Sequence, residues 1–342
     1  MEDRHKLMLD SLNKSEAEEK ERPLKLNDRV LIIDSLNAFI RSFTIINHIN
    51  KYGVHIGGLT GYLKSLGYAI NLVRPTRVVL VFDGQGGSTN KKYLYPEYKA
   101  NRGYRRVTNW DLFDDQEQEA ESITNQILRL IDYLKCLPVD LLSIDKIEAD
   151  DVIGSLVGKL SGEVTIVSSD RDYLQLVNER VTVYSPIKKK FYRYKEVLEE
   201  YGVTPQNFLT QKVLMGDSGD NVPGVKGMGQ ITLLKHYPEL AEDAVFALES
   251  VLSKARASKG SIYEKVLAFE NQLYVNEKLM DLKNPNIPED SMNTIDYILE
   301  NPTKTFKPKE FAQLYEEDDL GKSINNLQIW LFEKFNVLSR YK

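Results

Sequence analysis

Glu148, Asp150 and Asp151 put three carboxylates within four positions, between the apolar run Val139–Ile144 and the apolar-periodic stretch that begins at Val152. The run predicts a buried strand and the periodic stretch a helix, so the acids fall in the helix's first turn. Acidic residues there suit the helix dipole by about 0.3–1 kcal/mol each. That accounts for one or two of them. Two unit charges about 4 Å apart repel by about 4 kcal/mol at an effective dielectric near 20. Three together therefore point to a hard divalent cation among oxygen donors, Mg²⁺ or Mn²⁺.

The elements before and after send more carboxylates to the same place. Val30-Leu31-Ile32-Ile33 reads as a central parallel strand and ends at Asp34. Arg77 to Phe82 repeats the pattern and ends at Asp83. Helices are predicted over the dozen residues after Asp34 and from Leu59 to Val73, where Pro75 stops the second. Val164 to Val167 makes a further strand and runs into Ser168-Ser169-Asp170-Arg171-Asp172, in which Asp170 and Asp172 face one way if the backbone is extended. A single Asp after a strand is a cap or turn residue. Repeated after successive strands, it predicts an open α/β sheet with one site outside the strands' carboxyl ends. Val181 to Tyr184 is read as an edge strand, and Lys188-Lys189-Lys190 as a turn, either solvated or contacting phosphate.

Two segments suit nucleic acid. Between Gly84 and Gln118, Lys91, Lys92, Lys99, Arg102, Arg105 and Arg106 alternate with Tyr93, Tyr95, Tyr98 and Tyr104. Cations interleaved with aromatics track phosphates and stack bases on a single strand. A solvated loop is the plainer reading, but idle loops this long are uncommon inside a compact domain. Further on, Thr204-Pro205 starts a helix that ends near Met215-Gly216. Asp217 to Gly229 is a glycine-rich hairpin, and a second helix runs from Gln230 to His236. Gly224, Val225, Lys226, Gly227 and Gly229 suit close approach of main-chain N–H groups to a phosphate backbone. Asp217 and Asp220 stand where the hairpin could bring them to the acidic site.

The bulk numbers narrow the class. With 342 residues, 42% hydrophobic and 28% charged, the chain can bury a full core. It has no apolar run long enough for a membrane span, and its N-terminus lacks a signal peptide's apolar segment. One cysteine, Cys136, fits packing in a reducing compartment. The four histidines lie too far apart for a zinc cluster. The net charge of −5 does not exclude nucleic acid, because acids can gather at an ion site and bases along a separate stripe.

Taken in order, Asp34, Phe82-Asp83-Gly84, Tyr98-Lys99-Ala100-Asn101-Arg102, Glu148-Ala149-Asp150-Asp151, Ser169-Asp170-Arg171-Asp172 and Gly216-Asp217-Ser218-Gly219-Asp220-Asn221 resemble the motifs of the 5′-nuclease superfamily. That superfamily includes flap endonucleases, the 5′-nuclease domain of bacterial DNA polymerase I, and phage RNase H enzymes. Ile144-Asp145-Lys146, and Ser185-Pro186 with Lys189-Lys190, look most like the phage RNase H branch. The resemblance implies an α/β fold, a mostly parallel sheet flanked by helices, with a helix–hairpin–helix DNA-binding element and a helical C-terminal region. It implies a charged N-terminal extension over 1–27, a nuclease core over 28–203 with an arch at 84–118, and a helical region over 204–342 with its helix–hairpin–helix at 204–237.

By the same resemblance, Asp83, Glu148, Asp150 and Asp170 surround a first Mg²⁺, with Asp34 and Asp151 near it. Asp172, Asp217 and Asp220 hold a second, Mn²⁺ can substitute, and hairpin carbonyls hold K⁺. Lys99 and Arg102 engage the scissile phosphate. The implied activity is metal-dependent 5′-3′ exonuclease and flap endonuclease cleavage, with RNase H-type primer removal, in replication or repair. Implied substrates are DNA with 5′ flaps, nicks or forks, and RNA·DNA hybrids. The implied setting is a monomer in the cytoplasm of a bacterium or a phage-infected cell. A sliding clamp and a single-strand-binding protein are implied partners. Gln328, Leu331 and Phe335 have clamp-peptide spacing, though Lys334 stands where an aromatic is usual, and Leu7 to Leu12 is a rival docking segment. The tail from Leu327 to Phe335 reads first as a packed helix. Two other readings stand beside the nuclease: a junction-binding protein of this fold without turnover, and a PIN-like single-stranded-RNA nuclease. All the expected acidic positions are present, which argues against the first, and the hairpin and arch argue against the second.

Overall fold

The computed structural model describes residues 24–103, 111–321 and 323–341. Its frame is a six-stranded sheet in the order β3-β2-β1-β4-β5-β6. The strands are β1 (Arg29–Asp34), β2 (Arg77–Asp83), β3 (Asp140–Ile144), β4 (Glu163–Val167), β5 (Val181–Ser185) and β6 (Lys190–Tyr192). The first five are parallel and β6 is antiparallel. β5 is therefore not the edge expected from its sequence. Lys190 pairs with Ser185 and caps the sheet with a short β6, leaving 186–189 as the turn.

Strand alternation splits the interior into two cores. Val30 and Ile32 of β1 join Val79, Val81, Ile153 and Leu156, while Leu31 and Ile33 join Phe39, Leu63, Leu80 and Leu134. The second core is covered by α1 (Ser35–Ile45), α2 (Gly57–Val73) and α4 (Gln116–Leu134), the first by α5 (Ala149–Lys159). A short α3 (Thr89–Leu94) follows β2. From β1 the chain builds outward through β2 to β3, then returns to place β4 on β1's other side. Connections leave in opposite directions there, and the crevice opens at the carboxyl ends of β1 and β4.

After α6 (Tyr194–Tyr201), a 3-10 turn at Pro205–Asn207 leads into α7 (Phe208–Met215), and α8 (Gln230–His236) completes the helix–hairpin–helix. The hairpin requires glycine at its entry. Gly216 has φ +72°, and a Cβ there would lie 2.3 Å from the Gly224 nitrogen; one on Gly224 would lie 2.1 Å from the Met215 carbonyl oxygen. The helices from Leu248 to Glu300 pack on the same core as α5, through Val251, Leu252, Val266, Leu273 and Ile295. The C-terminal segment packs on the opposite core, where Leu331 and Phe335 are buried and Trp330 meets Phe335 at 5.0 Å between ring centroids. Two of the three residues with clamp-peptide spacing are thus core side chains. No helix among the described residues is long and apolar enough to cross a membrane.

Candidate active site

Glu148 is the residue before α5, with extended backbone, and Asp150 and Asp151 lie in the helix's first turn. Glu148 does not cap this helix. Asp83, at the end of β2, reaches across and accepts the Ala149 N–H at 2.9 Å. The ends of β2 and β3 are thereby joined through a helix start, and one ligand oxygen from each of Glu148, Asp150 and Asp151 lies within 4.8 Å of the others. Oxygen donors alone, at this spacing, fit a hard divalent cation.

A cation already sits among them. Lys91, on α3 and only 8% exposed, places its Nζ 3.1 Å from Glu148, 3.2 Å from Asp150 and 3.1 Å from Asp151. Its ammonium supplies positive charge that offsets the repulsion among the three carboxylates. Lys99 Nζ pairs with the other Glu148 oxygen. The Tyr98 hydroxyl donates its one proton between Glu148, at 2.8 Å, and Asp220, at 3.1 Å. Burial raises the Glu148 carboxyl, but Lys91, Lys99 and the Tyr98 hydroxyl outweigh it and hold the group below the usual range. For Asp151 burial wins over Lys91, and the carboxyl is raised.

Asp34, at the end of β1, is buried and accepts from the Ser168 hydroxyl at 3.0 Å and the Tyr173 hydroxyl at 3.2 Å. Burial, with the neighbouring charge of Asp83, pushes it up to about 7. Asp170 follows β4 and lies more open. Its Oδ1 accepts the Asp172 N–H at 2.9 Å, so this backbone turns into a 3-10 helix at Asp172 and is not extended as the two-residue spacing suggested. Asp172 and Asp217 are bridged by Lys212 of α7, which lies 3.0 Å from Asp217 and pairs also with Asp172. Burial pushes Asp172 up to about 6 against the pull of Lys212. The site thus has two halves, each with carboxylates around a lysine.

The segment from Glu97 to Asn101 is stitched to the hairpin. Lys99 N–H donates to the Asp220 carbonyl at 2.8 Å, Asn101 Nδ2 to Ser218 at 2.9 Å and Asn221 Nδ2 to Glu97 at 2.8 Å. Lys99 has φ +56°, a left-handed conformation that costs a non-glycine residue about 1 kcal/mol or more.

Lys91 and Tyr98, read from the sequence as facing DNA, are buried instead, because the acids of α5 need both a counter-charge and a donor. Lys92 is exposed, as are Lys226, Gly227 and Gly229, whereas the Val225 side chain is core. Arg105 and the side chain of Arg102 lie outside the described residues. Sequence reasoning missed Lys212, Ser168 and Tyr173. Lys212 falls in the last turn of α7, where a lysine normally reads as a partner of the helix dipole.

A parallel sheet that delivers clustered carboxylates to its carboxyl ends, with a glycine hairpin stitched beside them, matches the 5′-nuclease fold with an acidic cluster suited to divalent metal ions. The profile of the 5′-3′ exonuclease N-terminal resolvase-like domain matches residues 29–202, and the chain belongs to the 5′-3′ exonuclease family. It is 33% identical to the 5′-3′ exonuclease of Bacillus subtilis over 68% of this chain and 78% of that one. Against DNA polymerase I of Bacillus caldotenax it is 27% identical over 85% of this chain, but spans only 32% of that longer protein. The fold matches a bacteriophage T5 flap endonuclease solved as a pseudo-enzyme–product complex with DNA and metal ions, at TM-score 0.62 and 19% identity, over 85% of this chain and 99% of that one.

Proposed function

We propose that the chain cuts 5′-terminated strands at flaps, nicks and forks, and removes RNA from RNA·DNA hybrids, as part of replication or repair. The observation that carries this is the convergence of Glu148, Asp150 and Asp151 within 4.8 Å, inside the segment that matches the exonuclease profile. Asp34, Asp83, Glu148, Asp150, Asp151 and Asp170 are assigned to one Mg²⁺, and Asp172, Asp217 and Asp220 to a second, with Mn²⁺ able to replace either. Ions so held supply the charge that acidifies a bound water and offsets charge developing on the phosphate. Lys99 and Arg102, at the arch base, orient the scissile phosphate. Arg102 does so through a fork that a lysine lacks. Tyr98 holds Glu148 and Asp220 in register, and Lys92, Lys226 and the exposed hairpin glycines grip the duplex, with K⁺ on hairpin carbonyls. The α/β nuclease core is residues 28–203, and the helical region 204–342 adds Asp217, Asp220 and the duplex grip. A single-strand-binding protein and a clamp are the proposed partners, and a monomer in the cytoplasm the working state.

The test is cleavage of a 5′-labelled flap duplex and a 5′-RNA·DNA hybrid in Mg²⁺ and in EDTA, with Asp150→Asn beside the wild type. The expected result is metal-dependent cutting of both substrates by the wild type and none by the variant. Tight binding without cutting in Mg²⁺ or Mn²⁺ replaces this reading with a junction-binding protein.

A further inference from the structure

On the sheet face opposite the carboxylate helix, a cavity of about 350 Å³ opens between α1, α2 and the turn joining β5 to β6. Its walls are apolar and aromatic, with Ile33, Leu66, Ala69 and Val167 beside Tyr62 and Tyr184. Arg41, Lys64 and Lys189 also line it, and no lining residue is acidic. Arg41 decides what chemistry suits the space. Its Nε is buried and has no hydrogen-bond partner. Leaving a buried donor unpaired costs about 1–3 kcal/mol, more when it carries charge, so an acceptor is missing from the protein side. Burial lowers the guanidinium's pKa, and the neighbour that counters this is the Tyr184 phenol rather than a carboxylate. At the rim, Lys189 is exposed and held at φ +51° in the turn, a conformation better suited to glycine.

An anion alone would use Arg41 and the two lysines but leave the tyrosines and aliphatic walls idle. A ligand that uses both carries a planar ring and a phosphate. The cavity's volume lies at the lower end of the range for small-molecule sites, which fits one nucleotide. Its position narrows the source. Ile33 directly precedes Asp34, and Val167 directly precedes Ser168, whose hydroxyl holds Asp34 at 3.0 Å. The cavity and the carboxylate site therefore share the carboxyl ends of β1 and β4. We infer that the cavity binds a single unpaired nucleotide, its phosphate on Arg41 with Lys64 and Lys189, and its base against Tyr62, Tyr68 and Tyr184. This rests on the nuclease reading for its source, which is either an extrahelical nucleotide of the bound duplex or a released mononucleotide.

Binding is measured in EDTA by fluorescence anisotropy, with a fully paired 5′-flap duplex and with the same duplex carrying one unpaired adenine opposite the cut position. The expected result is that the unpaired adenine tightens binding about tenfold. Arg41→Met should remove that gain while its affinity for the paired duplex stays within about twofold of wild type. Lys189→Gly, which relieves the strained turn and keeps the fold, should remove part of the gain. Added dAMP separates the sources. If it cancels the gain and raises the melting temperature of wild type but not of Arg41→Met, free mononucleotide occupies the site. If it does neither while the gain persists, the site is reserved for a nucleotide in the strand. Equal weakening of both duplexes by Arg41→Met makes Arg41 a general phosphate contact and overturns the inference. So does the absence of both the gain and Arg41-dependent dAMP binding. Failure of the nuclease reading shows separately, as a paired flap duplex that is neither bound nor cut in Mg²⁺.

Discussion

Replacing Lys91 by methionine removes one positive charge from among three carboxylates while keeping most of the side chain's packing. The three ion pairs that it breaks are 3.1, 3.2 and 3.1 Å long, and the lysine side chain is 10% exposed. At an effective dielectric near 20, each pair at this distance is worth about 5 kcal/mol of attraction. The three acids' mutual repulsion and the cost of burying the ammonium take back much of it. Breaking a buried ion group by deleting one partner costs about 3–5 kcal/mol. Proton uptake by Asp151, already raised by burial, limits the loss to the lower end. For a chain of this size that is a fall of about 5 °C in melting temperature. In the proposed site a divalent ion would use the same oxygens, so the loss should be seen in EDTA. With Mg²⁺ at about a hundred times its Kd, binding adds about 2.7 kcal/mol to the folded state. The variant should gain more than the wild type from Mg²⁺, because no ammonium competes. The assay is calorimetric melting of both proteins in EDTA and across a Mg²⁺ series, with Kd from titration calorimetry. An equal melting deficit at every Mg²⁺ concentration, with unchanged Kd, would refute competition between Lys91 and the ion.

Asp83→Asn should fold normally, because the amide oxygen still accepts the Ala149 N–H, and should weaken Mg²⁺ binding by titration calorimetry; unaltered affinity removes Asp83 from the ion site. Phe335→Ala should cost about 3–5 kcal/mol in urea unfolding, as for a fully buried ring; a near-zero cost would mean that the tail leaves the core and is free to dock. His55 has its pKa lowered by burial, against the opposing pull of the Ile46 carbonyl and Glu119 and with His48 adding to the depression. The unfolded chain therefore takes up a proton first, near pH 6.5. The stability contributed by neutral His55 is complete above that pH and is lost as pH falls through it toward the depressed folded value. The drop in urea midpoint between pH 7.5 and 5.5 should be smaller in His55→Gln than in wild type, and equal drops would show that His55 does not contribute.

The centre of the sheet was legible because β1 and β2 carry continuous apolar runs, as expected for parallel strands buried on both faces. The placement of Asp34 and Asp83 followed from strand ends, which are set by the same runs. What failed to show was anything depending on contacts between distant segments. β6 is three residues long and pairs only through the hairpin, so its sequence, Lys190-Phe191-Tyr192, looks like part of a basic turn. Asp170 and Asp172 obey the turn set by the Asp170 carboxyl rather than an extended period.

The lysines were the least legible part, and the reason is general. A carboxylate cluster announces itself because like charges in sequence are costly unless something neutralises them. The neutralising group can come from anywhere in the chain. Lys91 sits in a run of cations and tyrosines that reads as a nucleic-acid track, yet the helix phase of α3 turns it inward while Lys92 stays in solvent. Lys212 is an ordinary last-turn lysine until α7 is laid beside Asp172. Both halves of the site therefore keep a cation of their own, which offsets the repulsion among the acids beside it. The same logic makes Arg41 informative, since its Nε is buried without a hydrogen-bond partner beside a cavity that no carboxylate lines. Where the protein supplies the counter-charge, as at Lys91, the charge is structural until an ion competes for its partners. Where none is supplied, as at the Arg41 Nε, the open donor is what motivates the inferred ligand.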